Sequence, residues 1–189
     1  MPTTTAKKTA AKTSSRTTKT ATASSKKRTA SGASDALQLL IADHKEVKQL
    51  FKAYDKLVDA EAADDEKQAL AEKICALLTI HATIEEELFY PAARVSLDED
   101  DLLDEAEVEH ASAKDLIAQI QGMKPSDDLY DAKVTVLGEY IDHHVKEEED
   151  EMFPKAKKSD LDLQSLGEDL KARKEELMSE MGLLETAEA

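Results

Sequence analysis

At 189 residues the chain has room for one ordinary domain plus a tail. Charged residues make up 35%, aromatics only 4%, and Trp is absent, which disfavours a β-sandwich and suits long helices. The single cysteine, Cys75, excludes an internal disulfide framework and fits a reducing, cytoplasmic compartment. No apolar run of membrane-spanning length and no secretory leader is visible, so no membrane contact is expected.

The net charge of −16 is unevenly spread. Residues 1–34 carry eight basic residues (Lys7, Lys8, Lys12, Arg16, Lys19, Lys26, Lys27 and Arg28) and no acidic one, which leaves −24 on the rest. This segment is almost entirely Thr, Ala, Ser, Lys and Arg. With no Leu, Ile, Val or Phe to bury, it cannot offset its ordering entropy, and a disordered tail is expected. A flexible polycation of this kind neutralises phosphates without reading sequence, so weak, non-specific nucleic-acid binding is the functional expectation for residues 1–34. An organelle transit peptide fits its composition less well, because the apolar face of a presequence is missing.

Five helices follow. Ser34 reads as the N-cap of the first, whose stripe is Leu37, Leu40, Ile41, His44, Val47, Phe51, Tyr54 and Val58. The second spans about 64–93 with Leu70, Ile74, Leu77, His81, Ile84, Glu85 and Leu88, and Pro91 marks a kink or frayed end. The third spans about 98–121 with Leu103, Ala106, His110, Ala113, Ile117 and Ile120. The fourth follows Pro125 and Ser126 with Val134, Leu137, Ile141, His144, Glu148 and Met152. The fifth, about 159–181, repeats Leu163, Leu166, Leu170 and Leu177 between charges. It is expected to pack on the others, a partner helix from another chain being the alternative occupant of its apolar face.

Two of these helices share a motif. His81-Ala-Thr-Ile-Glu85 leads to Phe89-Tyr90-Pro91, and His144-Val-Lys-Glu-Glu148 leads to Met152-Phe153-Pro154. Positions i and i+4 lie on one helix face, so each His and its Glu can reach a common point. Upstream of each stands an acid-His pair, Asp43-His44 and Glu109-His110. A lone His on an apolar stripe is usually a hydrogen-bonded core residue. Four in four successive helices, two of them bringing a Glu to the same inward face, call for cations, because an uncompensated buried carboxylate is costly. Mixed imidazole and carboxylate donors suit iron, with manganese or zinc as alternatives, and the doubled unit argues for two metals.

This pattern resembles the hemerythrin-like HHE cation-binding domain family over about residues 35–155. The resemblance implies an all-α, up-down four-helix bundle; outside it, composition and periodicity leave residues 1–34 as a basic tail and 156–189 as an additional C-terminal amphipathic helix with a short tail. It also implies a non-haem di-iron centre held by His44, His81, Glu85, His110, His144 and Glu148, the two carboxylates bridging the metals. Oxygen-carrying members have a second His one turn after the third-helix ligand, where this chain has Lys114, and a longer His-to-carboxylate spacing in the fourth helix. That departure points away from reversible oxygen carriage. It favours binding of oxygen, peroxide or nitric oxide in sensing, storage or protection against oxidative stress.

Two other readings stand beside it. One is a nucleic-acid-associated regulator whose bundle senses iron or oxygen. The other is a catalase-like peroxide scavenger, although no substrate pocket, phosphate loop or nucleophile elbow is legible. Three further residues draw attention. His143 could pair with Glu147 at the same spacing, but the match of the two His-to-Pro segments selects His144, which leaves His143 flanking. Glu86 and Tyr140 are secondary candidates near the site. Cys75 reads as a small buried residue.

Overall fold

A computed structural model describes residues 34–183. The expected disordered tail, apart from its last residue, lies outside the described residues, as do residues 184–189. Helix α1 is Ala36–Asp59 and α2 is Asp64–Ile84; α2 runs through a π-helical turn, Glu85–Phe89, into α3, Tyr90–Ser96. Helix α4 is Asp100–Gln121. Helix α5, Tyr130–Glu147, likewise runs through a π-helical turn, Glu148–Met152, into α6, Phe153–Ala156, and α7 is Leu163–Glu180. No strand occurs among the described residues.

The first helix is capped one residue later than expected. Asp35, not Ser34, accepts from the Gln38 backbone N–H, and the Gln38 side chain accepts from the Asp35 N–H in return. Such reciprocal capping satisfies two otherwise orphaned backbone donors. Asp162 caps α7 by its side chain alone, accepting from the Ser165 N–H with no reciprocal bond.

Helices α1, α2, α4 and α5 form a closed ring in which each packs on two neighbours, the four-helix bundle expected of the pattern. The apolar stripes that dictate this packing are interrupted at one level. Leu37, Leu40, Ile80, Ile84, Leu103, Ala106, Phe89 and Met152 form one apolar layer. Val47, Tyr54, Ile74, Leu77, Ala113, Ile117, Val134 and Leu137 form another. Along each helix the histidine falls between the two layers, so a buried polar stratum is clamped between apolar ones. Ile41, expected on the core stripe, is largely exposed. Position 41 falls between Leu37 and His44 on the helix but turns away from the ring.

Pro91 and Pro154 do not fray their helices. A proline inside a helix lacks the N–H for its usual bond and crowds the carbonyl four residues back. Here the turn just before each proline widens, and the N–H groups of Tyr90 and Phe153 reach five residues back to the carbonyls of Glu85 and Glu148. The helix therefore continues past the proline with one extra residue accommodated.

The fifth long helix, α7, packs in cis against α1, α2 and the first π-helical turn. It buries Leu166, Leu170 and Leu177, and Leu163 is half-buried against the same layer. Its approach to the start of α1 is close: a Cβ on Gly167 would stand 2.7 Å from the Ala36 nitrogen and 2.8 Å from the Ser34 oxygen. Only glycine fits that crossing without backbone movement.

Candidate metal centre

All six side chains singled out in the sequence meet in the polar stratum. His44, His81, Glu85, His110, His144 and Glu148 are buried, Glu85 and Glu148 almost completely. They divide into two overlapping groups, His44, His81, Glu85 and Glu148 in one and Glu85, His110 and His144 in the other. The Nε2 atoms of His44 and His81 stand 3.1 Å apart, and those of His110 and His144 stand 3.0 Å apart. The carboxylates link these pairs. Glu85 Oε2 lies 3.1 Å from His81 Nε2 and 3.5 Å from His110 Nε2. Glu148 Oε2 lies 3.3 Å from His44 Nε2 and 3.6 Å from His144 Nε2.

Each imidazole is held from behind by another carboxylate. His44 Nδ1 meets Glu149 at 2.9 Å, His110 Nδ1 meets Glu86 at 2.9 Å, and His144 Nδ1 meets Glu109 at 2.7 Å. His81 Nδ1 faces Asp43 at the looser distance of 3.5 Å. A carboxylate on Nδ1 fixes the tautomer and leaves Nε2 free to face the centre. The pattern repeats with the sequence. The acid preceding each first histidine, Asp43 or Glu109, holds the second histidine of its own half. The acid following each inner carboxylate, Glu86 or Glu149, holds the first histidine of the other half.

Tyr90 is the functional residue that the sequence reading missed. Its hydroxyl donates to Glu148 Oε1 at 3.0 Å and lies 3.2 Å from His110 Nε2. Nine residues past His81, an unbroken helix would put it about 180° away from the site. The π-helical turn absorbs one residue and swings it roughly 100° back toward the centre. The signal was the proline at position 91, read as a kink rather than as a rotation. Phe153, the equivalent in the second half, has no hydroxyl and stacks on His44 at 5.8 Å.

The charges in this stratum are unbalanced. Burial raises the Glu85 carboxyl well above its usual range, and the charge of Glu148 raises it further. Burial also works against Glu148, but the close imidazoles of His44, His144 and His81 overcome it and hold that carboxyl low. Burial lowers His81, and burial together with the neighbouring His144 lowers His110 to about 4, so both rings are neutral near pH 7. Burial works to lower His144, but its bond to Glu109 and the charges of Glu148, Glu109 and Glu147 together raise it. The Tyr90 phenol is pushed well up by burial and by both carboxylates, which keeps its proton in place.

Both oxygens of Glu85 and Oε2 of Glu148 are buried without a hydrogen-bond donor. A buried carboxylate left so is expensive, and cations between the imidazole pairs would satisfy these oxygens. The donor set fits that reading geometrically. Two imidazole nitrogens bound at right angles to one cation, each roughly 2.1 Å from it, stand about 3.0 Å apart. Beside the four histidines lies a small chamber of about 20 Å³, walled by Val47, Leu78, Ala113, Ile117 and Ile141. It has room for one or two atoms the size of water oxygen.

The secondary candidates separate clearly. Glu86 sits behind His110 and also pairs with Lys114. Tyr140 is not a core residue; it is half-exposed and lines a surface cleft. His143 is exposed, beside Glu109 and Glu147. Cys75 is buried, and burial raises its thiol to about 11, so it is an inert packing residue.

Residues 35–156 match the hemerythrin HHE cation binding domain family. The chain is also similar to the crystal structure of a hemerythrin HHE cation binding domain-containing protein from Mycobacterium kansasii. That likeness has a TM-score of 0.66 and 26% identity, covering 82% of this chain and 94% of that one. No curated protein is matched by the sequence. The all-α bundle with paired His/Glu clusters is thus a cation-binding fold, and the chain belongs to the hemerythrin HHE family. No helix among the described residues is long and apolar enough to cross a membrane.

Proposed function

We propose that this chain is a non-haem di-iron protein that binds oxygen, peroxide or nitric oxide at its buried centre, in sensing, storage or stress protection. The observation that carries this reading is the pair of buried carboxylates, Glu85 and Glu148, whose Oε2 atoms each lie between imidazoles of opposite pairs. His44, His81, Glu85 and Glu148 would hold one cation, and Glu85, His110 and His144 the other. Imidazole and carboxylate donors favour iron, with manganese or zinc as the alternatives. Iron in this setting supplies a redox-active position for a small oxygen or nitrogen ligand.

The residues around it do the rest. The second group has fewer protein donors than the first, and Lys114 is engaged by Glu86 instead of adding a ligand. That leaves this side the more open. The apolar walls of the small chamber admit a diatomic ligand and exclude bulk water. Tyr90 holds a proton at its Oη, donated to Glu148 Oε1 and beside His110, and rotation of that hydroxyl would turn it toward a ligand bound there.

Elemental analysis of native-purified protein tests the centre. About two irons per chain, lost in His81→Ala/Glu85→Ala, is the expected result. Metal unaffected by that change, or an optical spectrum indifferent to oxygen, peroxide and nitric oxide, overturns it. Peroxide scavenging would be the enzymatic form of the same chemistry, supported by the proton held at Tyr90. Nucleic-acid association of residues 1–34 is a separate reading, supported by their charge alone.

A further inference from the structure

The motif that the buried centre leaves over is His143 with Glu147. It repeats the His-x-x-x-Glu spacing of His144 and Glu148 one residue earlier, about 100° around α5 and therefore on the outside. His143 Nε2 lies 3.3 Å from Glu147 Oε1 and 3.4 Å from Glu109 Oε1. Three donor atoms, one imidazole nitrogen and two carboxylate oxygens, thus face a common point at the surface between α4 and α5. Its exposure makes it a different object from the buried centre: the His143 side chain is 62% exposed.

Two observations connect this trio to the interior. Glu109 is shared: its Oε1 faces His143 while its Oε2 holds His144 Nδ1 at 2.7 Å. Two of the three, Glu109 and His143, open onto a cleft of about 210 Å³ lined with them by Tyr140 at the surface and by His110 and His144 within. No Lys or Arg lines that cleft. A neutral diatomic ligand has no need of a carboxylate and an imidazole at the mouth of its path, with a second carboxylate, Glu147, behind that imidazole. A divalent cation does, and the −24 charge of residues 35–189 draws cations toward the surface.

We propose that His143, Glu147 and Glu109 form a weak, solvent-exposed site for a divalent transition-metal cation, and that this site passes the cation through the cleft to the buried centre. One imidazole and two carboxylates with the remaining positions left to water make a labile set, suited to transfer and not to storage. Transfer exchanges these outer donors for the Nε2 atoms of His110 and His144; no electron moves. The transfer half rests on the buried centre being a metal site, as proposed above. The existence of the outer site does not.

The test uses the full chain and two probes. With the buried centre iron-loaded, Mn²⁺ is titrated and followed by its electron paramagnetic resonance. One weakly held Mn²⁺ per chain is expected in addition to the resident metal, and it should be lost in His143→Ala and in Glu147→Gln. No additional Mn²⁺ in the wild type, or Mn²⁺ binding by the two variants equal to that of the wild type, overturns the outer site. In the second arm, Co²⁺ uptake by metal-free protein is followed by its visible absorption. His143→Ala should fill to the same Co²⁺ content roughly tenfold more slowly, the low end of what local charge focusing supplies. An unchanged rate overturns the transfer. A Co²⁺ plateau unaffected by His81→Ala would instead refute the buried centre and leave the Mn²⁺ result standing on its own.

Discussion

Asp43 joins the C-terminal helix to the centre: one carboxylate oxygen faces His81 Nδ1 at 3.5 Å and the other accepts from Lys174 of α7. Burial alone would raise this carboxyl, but His81 and Lys174 together lower it, so it stays charged behind the ring. Asp43→Asn should therefore weaken metal binding by roughly 10- to 100-fold, the usual effect of losing a carboxylate behind a metal-bound imidazole. Lys174→Met should act in the same direction and less strongly. Competition against a chromophoric chelator measures both, and unaltered affinity in Asp43→Asn would show that His81 needs no orientation.

Glu85 should be a stability liability in the metal-free protein. Its folded pKa is raised above the ordinary 4.5, first by burial and then by Glu148. The stability it contributes is fully present below about pH 4.5 and is lost as pH rises through the folded value. Glu85→Gln removes that loss. At pH 7 the metal-free variant should be more stable by about 1–3 kcal/mol, the cost of an unsatisfied buried group, yet unable to load metal. His110 works on the acid side. Its folded pKa of about 4 lies below the ordinary 6.5, so as pH falls from 6.5 toward 4 the unfolded chain takes up a proton that the native chain refuses. Thermal melts of metal-free wild type and Glu85→Gln from pH 4 to 8 check both slopes.

Tyr90→Phe separates packing from chemistry. Phe153 occupies the equivalent place in the second half without a hydroxyl, so the ring alone is compatible with the fold. The variant should keep its metal. If Tyr90 donates its proton to a bound ligand, the reaction with peroxide should slow by roughly 10²-fold, a modest general-acid contribution. Wild-type rates and an unchanged optical spectrum would reduce Tyr90 to a core residue.

Gly167→Ala tests how α7 is seated. The added Cβ would meet the backbone of residues 34–36 at 2.7–2.8 Å. Backbone cannot yield as a side chain can, and overpacking of this kind costs about 1–3 kcal/mol. The melting temperature should fall accordingly. An unshifted melt would mean that α7 can slide along α1.

Duplex binding by full-length protein and by a residue-35-onward form should differ only through the eight basic residues. Binding by the full chain should weaken steeply with salt, the slope of log K against log salt being no steeper than roughly −7. Equal, negligible binding by both forms would remove nucleic acid from the picture.

The sequence made the six buried positions of the candidate centre legible because each lies on a helix face that periodicity alone defines. His44, His81, Glu85, His110, His144 and Glu148 all fall on apolar stripes, and all converge. Tyr90 escaped because its position depends on a π-helical turn, which shifts the phase of everything after Glu85. Asp43, Glu109 and Glu149 escaped for another reason: each holds a histidine on a different helix, and spacing along one helix does not reveal contacts between helices. Tyr140, a secondary candidate, stands not at the buried centre but on the cleft that opens beside it.

The alternating attachment of the four outer acids has a consequence for how the molecule is built. Asp43 and Glu109 act inside their own halves, while Glu86 and Glu149 reach across to the opposite one. Glu85 and Glu148 cross over as well. Either helical hairpin on its own therefore holds imidazoles whose supporting acids are missing. Two copies of one hairpin, facing each other, would supply every kind of group the centre uses. The chain is built as a covalently joined pair of hairpins, and the linkage lets the two halves diverge, as where one keeps Tyr90 and the other Phe153.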